Sequence, residues 1–273
     1  MLFPYLNGED LNSRPDSSAS RWVIDFNDRS EEEAATYPLP FARILEQVKP
    51  ERQKTKPDGT YVMRSPMPEK WWQYGEKRPA LRSAVSALAE VLVISRVSKT
   101  VMPARVANGQ VFSDKLDVFA TASYSDQAVL SSSLHQLWAI TYGATMRADA
   151  AYTPSTVFET FPRPAPSQTL DNMGGLLDSK RRAVMLNRRL GLTSLYNMVN
   201  DRDITSRSDS DIASIRDIHV ALDQAVVEAY GWGDVGLHHG FHQHRQVTRW
   251  TLSPEVRTEL LDRLLEENHR RAT

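Results

Sequence analysis

Residues 152–166 read YTPSTVFETFPRPAP, and this stretch divides the sequence into two parts of different character. It holds four prolines around a short run of β-forming residues at 156–161, whose apolar members are Val157, Phe158 and Phe161. Proline fixes φ and has no N–H group to donate to a central sheet. We therefore predict an edge strand that leads into a rigid connection between two subdomains.

The residues on either side of this connection predict a mixed α+β fold. Before it, β-rich runs predict strands at 21–26, 91–97, 101–106 and 117–121, and helical spacing predicts helices at 38–52, 78–90 and 126–143. After it, helices are predicted at 167–190, 192–200, 209–230 and 254–271. Ser30 and Glu33 form a capping box for a short acidic helix, and Asp209 and Asp211 are both candidate N-caps of the helix at 209–230. We predict an α/β domain with short sheets at 1–166 and an all-helical domain at 167–273.

Composition is typical of a soluble globular protein. Apolar residues make up 41% of the chain and charged residues 25%, and no apolar run approaches the roughly 18 residues that span a bilayer. The first residues lack the basic and apolar segments of a signal peptide, so we expect an unexported, cytoplasmic protein. The absence of cysteine excludes disulfides, thiolate catalysis and cysteine-ligated zinc.

The charge is unevenly distributed although the net charge is only −1. Residues 49–105 carry 12 Lys and Arg against 5 Asp and Glu, whereas residues 1–48 carry 4 against 9. A basic segment in a neutral chain indicates either a phosphate-binding face or a solvated loop. The aromatic residues Trp71, Trp72 and Tyr74 lie within it and either stack on bases or, as we favour, anchor a core.

The sequence contains no catalytic constellation. Residues 231–236 spell G-x-G-x-x-G, but a predicted helix precedes them, so a helix C-cap is favoured over a dinucleotide site. The histidines of HHGFHQH at 238–244 indicate a polar loop in preference to a zinc site, and structural roles are favoured for His135 and His219. We predict no cofactor or metal in this chain.

Many ordered segments resemble the C-terminal half of the MmeI-like DNA methyltransferases, which include the fused type IIL restriction-modification enzymes. Among them are PYLNGEDL at 4–11, WVIDF at 22–26, YPLPFARILEQVKPER at 37–52, KWWQYGEKRPAL at 70–81, VISRVSK at 93–99, SSSLHQLWA at 131–139, YTPSTVFETFP at 152–162 and GLTSLYNMVND at 191–201. The resemblance covers nearly all 273 residues. It implies a target-recognition domain followed by a helical C-terminal part. We expect that part to pack on the recognition domain; the alternative is that it docks on the missing catalytic part and helps to clamp the duplex.

The family's catalytic domain would precede this region, with a glycine-rich S-adenosylmethionine loop and an Asn-Pro-Pro-Tyr/Phe motif. Neither motif occurs here, so the resemblance implies N6-adenine methylation in which this chain does not itself transfer the methyl group. We expect a truncated or split gene, or a specificity subunit, within a restriction-modification or phage-defence system. The implied partners are double-stranded DNA and a separate methyltransferase chain that binds S-adenosylmethionine.

The resemblance also points to a base-reading position. Two charged residues, one apart, occupy the matching place as Arg147 and Asp149, and on a strand both side chains lie on one face. Arg can bind guanine O6 and N7 while Asp accepts from cytosine N4 of the same pair. The alternative is a surface ion pair.

Positively charged residues of the basic segment, together with one hydroxyl, would contact the DNA backbone. These predicted contacts are Lys49, Arg52, Lys54, Lys56, Arg78, Arg96, Ser98 and Lys99. Two other functions stay open: a remnant that makes only protein–protein contacts, and an intact enzyme with unrecognised motifs.

Overall fold

The computed structural model describes every residue except 76, 99, 147–148, 245–246 and 273. It has 45% helix and 15% strand, in small sheets followed by a helical region, which confirms the predicted mixed α+β class. No helix in the described part of the chain is long and apolar enough to cross a bilayer.

The elements follow one another in mixed order up to residue 151 and are mainly helical afterwards. The first part contains β1 (Leu2–Leu6), α1 (Gly8–Ser13), β2 (Arg21–Ile24), α2 (Glu31–Ala35), α3 (Pro38–Gln47), α4 (Lys49–Arg52), α5 (Pro79–Val85), β3 (Glu90–Ser95), β4 (Val97–Ser98), β5 (Ala104–Ala107), β6 (Val111–Phe112), β7 (Leu116–Phe119), α6 (Tyr124–Ser131), α7 (Ser133–Tyr142), β8 (Ala144–Met146) and β9 (Asp149–Ala151). The second contains α8 (Gln168–Arg188), α9 (Leu192–Val199), α10 (Ser210–Ala229), β10 (Gly240–His244), β11 (Val247–Thr251) and α11 (Pro254–Ala272).

The described strands form small separate sheets. Three sheets have three strands each, in the orders β2-β1-β6, β5-β3-β7 and β4-β9-β8, and β10 pairs with β11 as a hairpin. All pairings are antiparallel except that of β1 with β6. The central strand β3 is buried along nearly its whole length, so it joins cores on both of its faces.

The hydrophobic core is shared by the two predicted domains. The largest cluster joins Leu92 of β3 and Leu134 of α7 to Leu222 of α10 and Leu260 of α11. A second joins the region around β1 and β3 to α9 and the start of α10. The helical part therefore packs against the first part, as expected, while the boundary at residue 166 stays a prediction.

Several helix ends form where the sequence predicted them. The Ser30 hydroxyl and the Glu33 carboxylate make the reciprocal capping box of α2. The Asp209 carboxylate accepts from the backbone N–H groups of Asp211 and Ile212 and caps α10. Gly231 follows α10 with a φ of +79°, which confirms that it belongs to a helix end.

The predicted edge strand at 156–161 is wrong. The stretch forms helical turns: the Val157 N–H donates to the Thr153 carbonyl at 2.9 Å, and the Phe161 N–H donates to the Val157 carbonyl at 3.0 Å. Val157 and Phe161 are both buried, and the adjacent Phe158 packs against the same core. A strand would place residues 157 and 158 on opposite faces, whereas a helical turn places residues 157, 158 and 161 on one side. Packing of all three side chains on one core therefore favours the helical turn over local β propensity.

Other boundaries also differ from the predictions. The single helix predicted at 126–143 is two helices, because Ser132 is extended and its hydroxyl caps α7 by accepting from the His135 N–H. Strand β1 and helix α1 were not predicted, and Asn7 is the N-cap of α1. The histidine-rich segment predicted as a polar loop contains strand β10, whose Phe241 contacts Trp250 of β11 edge to face at 5.2 Å.

Candidate nucleic-acid interface

The predicted base-reading segment connects two strands at the edge of a sheet. Strands β8 and β9 form a hairpin in which Ala144 is opposite Ala151 and Met146 is opposite Asp149, and β9 also pairs with β4. Arg147 lies outside the described residues, and the side chain of Asp149 is not described. Their pairing on one base pair therefore stays a prediction.

A buried histidine and tyrosine hold the base of this hairpin. Tyr152 directly follows β9, and its N–H donates to the Arg96 carbonyl at 2.7 Å. Its hydroxyl lies 3.0 Å from Nε2 of His135, and Nδ1 of His135 lies 2.8 Å from the Leu130 carbonyl oxygen. A carbonyl only accepts, so Nδ1 carries the proton and Nε2 accepts from Tyr152. Burial lowers the pKa of His135 to about 4, which keeps this neutral tautomer.

The other end of the hairpin depends on a glycine. Gly143 ends α7 and directly precedes β8, and a Cβ atom there would lie 2.3 Å from the Ala139 carbonyl oxygen and 3.1 Å from the Ala151 carbonyl oxygen. No residue with a side chain fits that space without a backbone shift. The glycine therefore lets the chain turn from the helix straight into the hairpin.

Two predicted backbone contacts, Arg96 and Ser98, lie beside this hairpin. The Arg96 guanidinium is half-exposed and donates to the nearly buried Asp117 carboxylate at 2.9 Å, a bond that raises the pKa of Arg96. The Ser98 hydroxyl accepts from the Thr100 N–H at 3.1 Å. Lys99 lies outside the described residues. Arg96 thus has a structural partner, and its contact with a phosphate stays a prediction.

Two of the four predicted contacts between residues 49 and 56 touch a separate aromatic core, and the other two are exposed. Nη1 of Arg52 donates to the carbonyls of Trp71 and Gln73 at 3.1 and 2.5 Å, and burial lowers its pKa. The Lys49 ammonium lies 4.7 Å from the centre of the Trp71 ring. The Lys54 ammonium pairs with the exposed Glu51 at 2.8 Å, and Lys56 is exposed in the following loop. Arg52 therefore secures a loop, a role that its charge alone could not reveal.

The aromatic residues of the basic segment anchor the core, as favoured from the sequence. Trp71 is 2% exposed and packs with Phe26 and Ile44. The Trp72 indole N–H donates to the Arg29 carbonyl at 2.9 Å. Neither ring is free to stack on a base in this conformation.

Two clefts beside this core are rich in positive charge. One, of about 290 Å³, is lined by Arg52, Arg64, Lys70 and Lys77, and no described acidic residue lines it. The other, of about 190 Å³, shares Lys77 and adds Arg78, whose φ of +46° places it in the left-handed region at the start of α5. Sequence reasoning missed Arg64, whose only signal was its position in the basic segment.

Two histidines and a buried carboxylate of α8 have structural partners. The part of the chain that the structure describes holds no cluster of three or more residues able to bind a metal ion. Nε2 of His239 lies 2.8 Å from the buried Asp223 carboxylate. Asp178 accepts from the buried Gln127 side chain at 2.9 Å. His219 is buried and lies 2.9 Å from the Tyr196 hydroxyl, which confirms a structural role.

Comparison with known proteins identifies the family of this chain. Residues 5–165 match the family described as MmeI, target recognition domain, so the chain contains a target recognition module. The chain belongs to this family. No curated protein sequence matches it.

A solved structure with a similar fold covers nearly the whole chain. It is described as the type IIL restriction-modification enzyme MmeI in complex with DNA, and it superimposes with a TM-score of 0.62 at 17% sequence identity. The match covers 98% of this chain and 31% of the other. This chain therefore spans about a third of that enzyme's length, and the helical part belongs to the shared fold.

Proposed function

We propose that this chain recognises a specific sequence in double-stranded DNA for an adenine-specific DNA methyltransferase of a restriction-modification or related phage-defence system. The observation that carries the proposal is the family match over residues 5–165. Methyl transfer itself would require the family's S-adenosylmethionine domain, supplied by another polypeptide or by a further part of the protein. The target adenine would have to leave the base stack to reach it.

Different residues would position the DNA duplex and read its bases. Lysines and arginines around the two basic clefts hold the duplex by its phosphates, which fixes the register but carries no sequence information. Hairpin β8–β9 then presents Arg147 and Asp149 to base edges, since a two-stranded ribbon fits the major groove. The basic clefts and the edge position of the hairpin support this assignment.

A second candidate function, a protein-interaction module that does not bind DNA, has one observation in its favour. Trp22 is 68% exposed and Leu2 is 58% exposed, and both lie on one face of the small sheet formed by β1 and β2. Exposed apolar side chains on a sheet face are a feature of protein interfaces. Duplex binding that weakens steeply with salt would favour the DNA-recognition function over this one.

The substitution Arg147→Ala tests the proposal at the reading position. If Arg147 binds a guanine edge, its loss should cost about 1–3 kcal/mol on the preferred duplex and relax the preference at one base pair. The measurement is a fluorescence-anisotropy titration of the preferred duplex and of its single-base variants at several salt concentrations.

The matched control is Lys56→Ala, because Lys56 is exposed in a loop outside the hairpin. Loss of a phosphate contact should weaken binding to all duplexes alike and lower the salt slope by about one. A uniform loss with Arg147→Ala would remove it from base readout, and no duplex binding even at low salt would refute the proposed function.

A further inference from the structure

The hairpin that carries the proposed reading residues has little structure of its own. Its strands β8 and β9 are three residues long, and the neighbouring strand β4 contributes only two residues to the same sheet. Short isolated ribbons are marginally stable in water. The direction in which the hairpin points must therefore be set by contacts at its base.

Tyr152 is the residue through which those contacts converge. It is 4% exposed, and its ring meets Phe119 edge to face at 5.8 Å between centroids. Its N–H donates to the Arg96 carbonyl just before β4, and its hydroxyl reaches His135 of α7. One side chain thus ties the end of β9 to the central sheet and to the α6–α7 pair.

His135 holds the Tyr152 hydroxyl in one position. Its ring is fully buried and is bonded on both nitrogens, by Nδ1 to the Leu130 carbonyl and by Nε2 to the Tyr152 hydroxyl. Phe161 packs on the same ring edge to face, at 5.2 Å between centroids. A ring held at both nitrogens and by an aromatic neighbour cannot rotate without breaking a buried hydrogen bond.

We propose that Tyr152 and His135 are positioning residues for base recognition, which aim hairpin β8–β9 at the DNA without touching it. This inference rests on the proposed function of the hairpin. Loss of the Tyr152 hydroxyl frees the base of the hairpin, so strand β9 takes up several orientations and the chain discriminates less well between bases. Contacts with phosphates elsewhere are unaffected.

A second tyrosine–histidine pair in the chain serves as a control that distinguishes a positioning role from a general effect on stability. Tyr196 and His219 form the same buried tyrosine–histidine hydrogen bond, at 2.9 Å, and in both pairs the ring centroids are 5.7 Å apart. Tyr196 lies in α9 and belongs to the second core cluster, which also includes the start of α10. Tyr152→Phe and Tyr196→Phe therefore each remove a buried tyrosine–histidine hydrogen bond, and only the first of these bonds lies at the hairpin.

The experiment compares the full chain with both variants in selections from a pool of randomised duplexes. Thermal unfolding should show a similar loss of stability for the two variants. We expect Tyr152→Phe to flatten the base preference at the strongest selected position by about three- to tenfold, the factor that one hydrogen bond supplies. Tyr196→Phe should keep the wild-type profile, and both should bind random duplex within about twofold of wild type.

The outcomes are distinguishable. An unchanged profile with Tyr152→Phe, beside a clear wild-type preference, would overturn the positioning role and leave the proposed function intact. Equal flattening by both variants would also overturn it, since stability alone would then explain the effect. A wild-type protein that selects no sequence would overturn both proposals.

Discussion

His135 and His219 are both buried, and burial lowers the pKa of each to about 4 from an ordinary value of 6.5. Each is neutral when folded and gains a proton readily when unfolded. The unfolded state therefore binds more protons between pH 6.5 and pH 4, so this contribution to stability is complete above pH 6.5 and is lost as the pH falls towards 4.

We predict that the free energy of unfolding falls by about 2 kcal/mol per buried histidine between pH 7.5 and pH 5. Urea unfolding at the two pH values measures it. His135→Gln and His219→Gln serve as controls, because each should lower stability at pH 7.5 but reduce the fall at pH 5. Equal stability of the wild type at both pH values would contradict the prediction.

At the residue scale, the sequence showed where the basic residues are concentrated but not which groups they bond to. Arg52 bonds to carbonyls 19 and 21 positions away, and Arg96 bonds to Asp117, 21 positions away. Such partners depend on the folded path of the chain, so composition could not predict them. Core roles for Trp71 and His135 were predictable, because aromatic rings and lone histidines in apolar surroundings are more often buried than functional.

At the scale of elements, two adjacent glycines in α8 differ sharply in their surroundings. A Cβ at Gly174 would lie 2.0 Å from the Tyr124 carbonyl oxygen, whereas a Cβ at Gly175 would meet only the Tyr124 ring at 3.9 Å. Gly174 therefore allows α8 to approach the start of α6 closely. Gly175 contributes only the conformational freedom that a helix interior does not need.

We predict that Gly174→Ala lowers the free energy of unfolding by at least about 2 kcal/mol, because the backbone of α6 must move. Gly175→Ala should leave stability unchanged or raise it by up to about 1 kcal/mol, the helix-propensity difference. Urea denaturation of the two variants makes the comparison within one helix. Similar values for both would show that the close approach of α6 and α8 does not constrain stability.

Elements with strong local signals were predictable, and those defined by distant pairing were not. Helices α8, α9, α10 and α11 begin or end within a few residues of the predicted positions, because caps and apolar spacing are local. Strand β1 was missed because it depends on β2 and on β6, about a hundred residues away. The break at Ser132 was missed because the apolar pattern continues through it.

At the scale of the whole molecule, the shared core makes the two predicted domains depend on each other. The largest cluster combines Leu92 and Leu134 from the first part with Leu177, Leu222 and Leu260 from the second. Residues 1–166 alone would expose that apolar surface to water, at a cost of roughly 25 cal/mol per Å². The mixed class was predictable from the sequence, whereas this interdependence was not.

We predict that a fragment of residues 1–166 shows no cooperative thermal unfolding and is poorly soluble when produced alone. Co-production with a second fragment of residues 167–273 should restore a soluble complex, because the missing core residues are then supplied. The full chain is the reference for both measurements. A cooperative, soluble 1–166 fragment would contradict the prediction and support an independent first domain.

The same division of the core has a consequence for biosynthesis. The ribosome synthesises α6 and α7 before α10 and α11. The apolar faces of α6 and α7 therefore stay exposed while roughly 100 further residues are added, which takes about 5–20 s at ordinary elongation rates. During that interval the nascent chain exposes hydrophobic surface to which chaperones bind. This core can therefore close only after α11 has been synthesised, and the yield of the chain in cells should depend on holdase capacity as much as on its final stability.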